Sequence, residues 1–130
     1  MKYLGTNLSP DEYYQRMASS YANPHEDGIR ELLGHLKLHL TDSILDLGCG
    51  SGLATRIIGR AIGVDRSSEM IARYRAETGC EGFVANFWDR LPVASSAMAV
   101  YSLHLCPKSR FNDFRFRVRD AGIKRLVVIS

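Results

Sequence analysis

Cysteine is scarce in this chain of 130 residues: Cys49, Cys80 and Cys106 are an odd number with no C-x-x-C spacing among them. That argues against a disulfide framework and against a cysteine-bound zinc. Charge of one sign is missing too, since 17 Lys and Arg face 14 Asp and Glu for a formal net charge of +3. So slight an excess does not by itself imply a nucleic-acid partner. No apolar run approaches the roughly 20 residues that a membrane span requires. The polar start MKYLGTNLSPDEYY does not read as a signal peptide, so no membrane partner and a cytoplasmic location are expected. There is no internal repeat, low-complexity tract or linker. With 45% hydrophobic and 24% charged residues, 1–130 reads as a single domain able to bury a core.

What the chain does carry is concentrated at residues 44–52, ILDLGCGSG. An apolar strand runs into Asp46 and then into Gly48, Gly50 and Gly52, one at every second position, before LATRII reads as a short helix. Glycine at that density permits a sharp turn and lets a ligand approach the main chain with no Cβ in the way. Unpaired N–H groups at the helix start suit an anionic group such as a carboxylate. The dinucleotide fingerprint is G-x-G-x-x-G, whereas here the third glycine comes one residue early and Asp46 precedes the first. A carboxylate there repels a pyrophosphate and attracts an amine. Charge therefore favours S-adenosylmethionine (SAM), which has an amine, a carboxylate and a sulfonium but no phosphate, over NAD. Cys49, inside the turn, reads as a small packing residue.

The remaining pattern is that of an α/β protein. Ser9 and Pro10, followed by Asp11 and Glu12, cap a helix to about residue 20. A second helix, roughly 25–39, sets Ile29, Leu32, Leu33, Leu36 and Leu40 on one face. Its His35 and His39 stand four apart, yet no third ligand is evident and no metal is expected. Short apolar strands are predicted at 44–47, 61–64, 82–85, 97–102 and 125–129, separated by helical or turn-rich segments. That is the mark of parallel strands buried on both faces, a doubly wound, mainly parallel five-stranded sheet. The expected division is 1–40 for the N-terminal helices and 41–130 for the α/β core. In FNDFRFRVRDAG, Arg115, Arg117 and Arg119 alternate with apolar residues. Phe111, Phe114, Val118 and Ala121 nevertheless share one helix face that Gly122 would end, and a crossover between parallel strands calls for a helix. With Lys108, Arg110, Lys124 and Arg125 these arginines make a basic patch, either a solvated face or a surface that steers RNA or an anionic substrate.

ILDLGCGSG resembles the first motif of class I SAM-dependent methyltransferases, and GVDRSSEM at 63–70 resembles the second. The likeness, to the small-molecule type, runs from about Tyr13 to the last residue. It implies a Rossmann-like SAM-binding fold of strand order 3-2-1-4-5, with SAM as cofactor and S-adenosylhomocysteine as product. It also implies roles. Asp46 faces the methionine amine, Gly48, Cys49 and Gly50 offer main-chain contacts, and Ser102 offers its carbonyl to the same amine. Asp65 takes the ribose hydroxyls with its two acceptor oxygens, with Arg66 and Met70 beside it. Asn86 stands where relatives carry an acid for the adenine amine, and Phe87 or Trp88 shields the ring. YYQRMASSYA resembles a helical lid in which Tyr14, Arg16 and Tyr21 meet the ligand.

The chain also departs from its relatives. Met98 replaces an aspartate that many carry at the start of the fourth strand. The strand end Y-S-L-H is not the N/D-P-P-Y/F signature of nucleic-acid amino methylation. Methyl transfer needs chiefly alignment and exclusion of water, so the one candidate base, for an acceptor that must lose a proton, is His104. Relatives continue through two further strands, whereas RLVVIS ends this sequence. A fifth strand left at the sheet edge invites pairing, so a homodimer or a partner chain is expected there. The resemblance implies a methyltransferase acting on a small-molecule acceptor; the alternatives are an RNA or protein methyltransferase and a non-catalytic SAM-binding module.

Overall fold

The computed structural model describes residues 24–40 and 42–130. Tyr14, Arg16, Tyr21 and the expected first helix lie outside these residues. Helix α1 (Pro24–Leu36) forms because its apolar side chains recur at helical spacing, and Ile29 and Leu33 on that stripe are fully buried. It tightens into a 3-10 turn at Lys37–His39, so the helical stretch divides in two where one helix is predicted. The chain then alternates through β1 (Ile44–Leu47), α2 (Leu53–Ile58), β2 (Ile62–Asp65), α3 (Ser68–Thr78), β3 (Gly82–Val84), β4 (Ser96–Val100), α4 (Phe111–Asp120) and β5 (Arg125–Ile129). Helix, not strand, is thus the state of the alternating arginine segment, and Gly122 follows it at φ +84°.

All five strands are parallel, in the order β3-β2-β1-β4-β5. This is the expected doubly wound sheet, with strand limits displaced by a residue or two. β4 stops at Val100 rather than 102 because Tyr101, after donating its N–H to the Ile129 carbonyl, takes φ +53° and leaves the ladder. Successive side chains point to opposite faces, which splits the core. Leu45, Leu47, Ala97, Ala99 and Val128 pack with Phe87 and with Phe114 of α4. Ile44, Met98, Val127 and Ile129 pack beneath α1 and α2. A smaller cluster of Cys49, Ile71 and Tyr74 lies under α3. Among the described residues no helix is long and apolar enough to cross a membrane.

Connections from β1 run to opposite sides of the sheet, towards β2 and, after β3, towards β4. The carboxyl ends of β1 and β2 therefore lie at the switch point, where this class of sheet leaves a crevice.

Candidate functional site

A shallow crevice opens at that point. Its floor is Leu47, Gly48 and Val64; Asp65 and Arg66 line one side, and Ala85, Asn86, Phe87, Trp88 and Leu105 the other. The structure thus brings together Gly48, Asp65, Arg66, Asn86 and Phe87 of the expected residues. It places Asp46, Cys49 and Ser102 in the interior instead.

The glycine turn is spent largely on itself. Gly48 and Cys49 both donate their N–H to the Val64 carbonyl, at 2.7 and 3.0 Å, and Gly52 donates to the Cys49 carbonyl at 3.0 Å. Gly50 donates its N–H to Asp65 Oδ2 at 3.0 Å. Protein acceptors thus already hold the N–H groups of Gly48, Cys49, Gly50 and Gly52, the part of the turn expected to face an anionic group. The reason lies in the parallel register Leu47↔Val64, which sets the end of β2 alongside the turn. A Cβ on Gly48 (φ +68°) would fall 2.5 Å from Ser102 Cβ, so only glycine fits where the two strand ends cross. Gly50 is different: a Cβ there meets nothing within 4 Å, leaving open space in front of the turn.

Asp65 ends β2 half-buried and is held from two directions. Ser67 N–H donates to Oδ1 at 2.9 Å and Gly50 N–H to Oδ2 at 3.0 Å. A carboxylate presents about four lone pairs, so each oxygen keeps one for a ligand, and the two backbone bonds fix its direction. Asn86 is pinned as well. Its backbone N–H and its side-chain Nδ2 donate to Asp89 Oδ2 at 2.8 and 3.1 Å, which leaves the side-chain Oδ1 as the acceptor available to a ligand. Asp89 was not foreseen, although the N-x-x-D spacing is a turn signal.

Ser102 is buried; its hydroxyl donates to the Leu47 carbonyl, and its own carbonyl accepts from Leu105 N–H at 2.9 Å. The Ser102 carbonyl, expected to accept from an amine, thus spends one of its two lone pairs on closing the turn after β4. Phe87 touches the crevice while its ring packs edge-on against Phe114 at 5.4 Å. Trp88 lies beneath Arg110, whose guanidinium is 5.1 Å from the ring centre, and its carbonyl accepts from Arg117 Nε at 3.1 Å. Met70 is 37% exposed in the first turn of α3, away from the crevice lining. His104 is exposed on the 3-10 turn Leu103–Leu105, next to Leu105 of the crevice, and partial desolvation lowers its pKa. Desolvation pushes the Cys49 thiol pKa well up, which makes it a packing group rather than a nucleophile. His39 Nδ1 lies 3.4 Å from Arg125.

Asp46 is the expected residue whose surroundings hold the most chemistry. It points from β1 to the α2 side, 2% exposed, with Gly63 and Met98 opposite it on the neighbouring strands. Helix α2 begins at Gly52, which has no side chain to cap it. Asp46 does that from β1, accepting both the hydroxyl of Thr55 at 2.8 Å and its backbone N–H. Burial raises its pKa to about 6 in spite of those bonds, with a smaller upward push from Asp65. Thr55 is signalled in the sequence only as one polar residue in LATRII. Its other partner, Tyr74, carries no sequence signal at all.

An all-parallel 3-2-1-4-5 sheet with a glycine turn at its first strand end and an acid at its second defines a Rossmann-like nucleoside-binding domain. The chain belongs to the class I SAM-dependent methyltransferase family: residues 45–112 match the family described as "Methyltransferase domain". It is 32% identical over 108 residues to trans-aconitate 2-methyltransferase of Pseudomonas paraeruginosa, covering 76% of this chain and 38% of that protein. The chain thus spans under two fifths of the length of such curated relatives. Among solved structures it resembles the one described as "DhpI-SAH complex structure" (26% identity, TM-score 0.68, 89% of this chain and 65% of that one). It also shares the fold of magnesium protoporphyrin IX methyltransferase from Synechocystis PCC 6803 (11% identity, TM-score 0.68, 95% and 77%).

Proposed function

We propose that this chain binds SAM in the crevice and is the cofactor-binding part of an enzyme that methylates a small molecule. The observation that carries this is the division of labour at the strand ends. The N–H groups of Gly48, Cys49, Gly50 and Gly52 are occupied, while oriented acceptors, Asp65 and Asn86 Oδ1, face an apolar cleft. That set suits an unphosphorylated nucleoside: Asp65 takes ribose hydroxyls, Asn86 Oδ1 the adenine amine, and Leu47, Trp88 and Leu105 flank the ring. Asp46 supplies negative charge behind the turn for an amine. Bound SAM supplies the activated methyl group. His104, held near neutral form by its lowered pKa, takes a proton from an acceptor that must lose one. The trans-aconitate methyltransferase relative supports a small-molecule acceptor. Two of the arginines of the basic patch, Arg110 and Arg117, engage Trp88, which weakens the case for an RNA surface on α4.

Calorimetric titration with SAM and S-adenosylhomocysteine tests the reading. Wild-type protein binds both, and Asp65→Ala weakens each by about 1.5–3 kcal/mol, the scale of hydrogen bonds to a charged group. Equal affinity in the variant, with its fold intact by circular dichroism, would place the ribose elsewhere. Tight binding without turnover on a panel of small carboxylic acids, RNA and proteins would instead mark a binding module.

A further inference from the structure

Four oxygens lie in a line behind the glycine turn. Asp46 Oδ2 is 2.8 Å from Thr55 Oγ1, Thr55 Oγ1 is 2.9 Å from the Tyr74 hydroxyl, and the Tyr74 hydroxyl donates to the Ala61 carbonyl at 3.0 Å. Asp46, Thr55 and Tyr74 are all buried, so water does not repair a missing bond. With Asp46 ionised, two hydrogens, those of Thr55 and Tyr74, serve three contacts, and one oxygen pair is left facing without a proton. With Asp46 protonated there are three hydrogens for three contacts: Asp46 donates to Thr55, Thr55 to Tyr74 and Tyr74 to Ala61. Tyr74 cannot swing away to relieve the conflict. Its ring fills the space that side chains at Gly63 and Gly52 would occupy, with Cβ positions built there falling 2.5 and 3.0 Å from it. The titratable groups facing Asp46 are Asp65 at the end of β2, Cys49 in the turn and Tyr74 on α3, none of which offers it a positive charge. Met98 on β4 adds only hydrocarbon.

We propose that Tyr74 is a positioning residue which, through Thr55, favours the protonated form of Asp46 and so raises the pH at which the free protein loses that proton, and that arrival of a ligand ammonium group at the turn expels the proton where it is still held. The coupling to SAM rests on the proposed function; the protonation itself does not. Ligand affinity then falls up to tenfold for each pH unit below the Asp46 midpoint, and Tyr74 sets where that midpoint lies.

The carboxyl carbon resonances of the ligand-free protein, with Asp46 assigned through Asp46→Asn, give the midpoint directly. Tyr74→Phe keeps the ring and removes the competing oxygen. It lowers the midpoint by about one unit. In a Thr55→Val background, which breaks the relay, Tyr74→Phe no longer moves the midpoint. A purely structural Tyr74 leaves the midpoint where it is, and that result, or an Asp46 midpoint in the ordinary carboxylate range, overturns the proposal. Should Tyr74→Phe not fold, the wild-type midpoint still decides, since a value in the ordinary carboxylate range overturns the proposal. Titration with SAM near the wild-type midpoint, in buffers of differing ionisation heat, shows proton release in wild type and less in Tyr74→Phe. Release that is equal in both overturns the coupling. Absence of SAM binding at every pH counts against the proposed function, while the ligand-free midpoints still judge Tyr74.

Discussion

Replacing Asp46 by Asn isolates what burial of this acid does to the folded protein. The amide copies the protonated acid: its oxygen accepts from the Thr55 N–H and its NH₂ donates to the Thr55 hydroxyl, but it has no charge to desolvate. Folding raises the Asp46 pKa from 3.8 to about 6. A raised carboxyl pKa means that the folded state holds a proton the unfolded chain has released, so the acid's contribution to stability is fully present below the unfolded value and is lost as pH rises through the folded one. Two units at 1.36 kcal/mol each amount to about 3 kcal/mol over the whole range. Between about pH 4.5 and about pH 7.5 the part still to be lost is about 2 kcal/mol. The stability of Asp46→Asn relative to wild type therefore improves by that amount across the window, whatever constant offset the amide introduces. Urea unfolding at four or five pH values, followed by tryptophan fluorescence and circular dichroism together, reads the difference. A difference that stays flat with pH, or one that changes in the opposite direction, refutes the account of Asp46 as a desolvated acid.

Gly48→Ala costs at least about 3 kcal/mol in unfolding free energy, because a left-handed backbone and a clash with Ser102 coincide there. Gly50→Ala, at φ +53° but facing open space, costs only about 1 kcal/mol in the same urea titration, and equal costs would show that the clash is not real. Asp89→Ala frees the Asn86 amide and weakens SAM about tenfold in calorimetry, with adenosine weakened alike; an effect on neither removes Asn86 from the adenine position.

How far the sequence could lead is clearest at the turn. ILDLGCGSG and the short apolar runs after it were enough for a doubly wound parallel sheet, because parallel strands buried on both faces leave little choice of pattern, whereas the strand order followed from the family resemblance alone. Asp65 and Asn86 were legible as strand-end acceptors, since each follows an apolar run at the edge where ligands bind. The direction of the turn's N–H groups was not legible. It depends on the register of Leu47 against Val64, a relation between segments that neither encodes alone. The cap that Asp46 makes was not legible for a related reason: alternation along β1 sends it to the α2 face with Ile44, and only the short helix above it shows that Thr55 needs a capping acceptor. Tyr74 sits in an amphipathic helix where any aromatic reads as core, and the spaces left by Gly52 and Gly63 that admit it come from other elements.

The strand order also has a consequence for synthesis. β1 pairs on one side with β2, within twenty residues, but on the other with β4, whose partners begin at Ser96 opposite Ile44. As the chain leaves the ribosome, β1 to β3 emerge as a sheet whose inner edge lacks its neighbour until the chain has run on from Val84 through Ser96–Val100. During that interval a bare row of backbone donors and acceptors flanks Ile44 to Leu47, the stretch most prone to capture by another nascent chain.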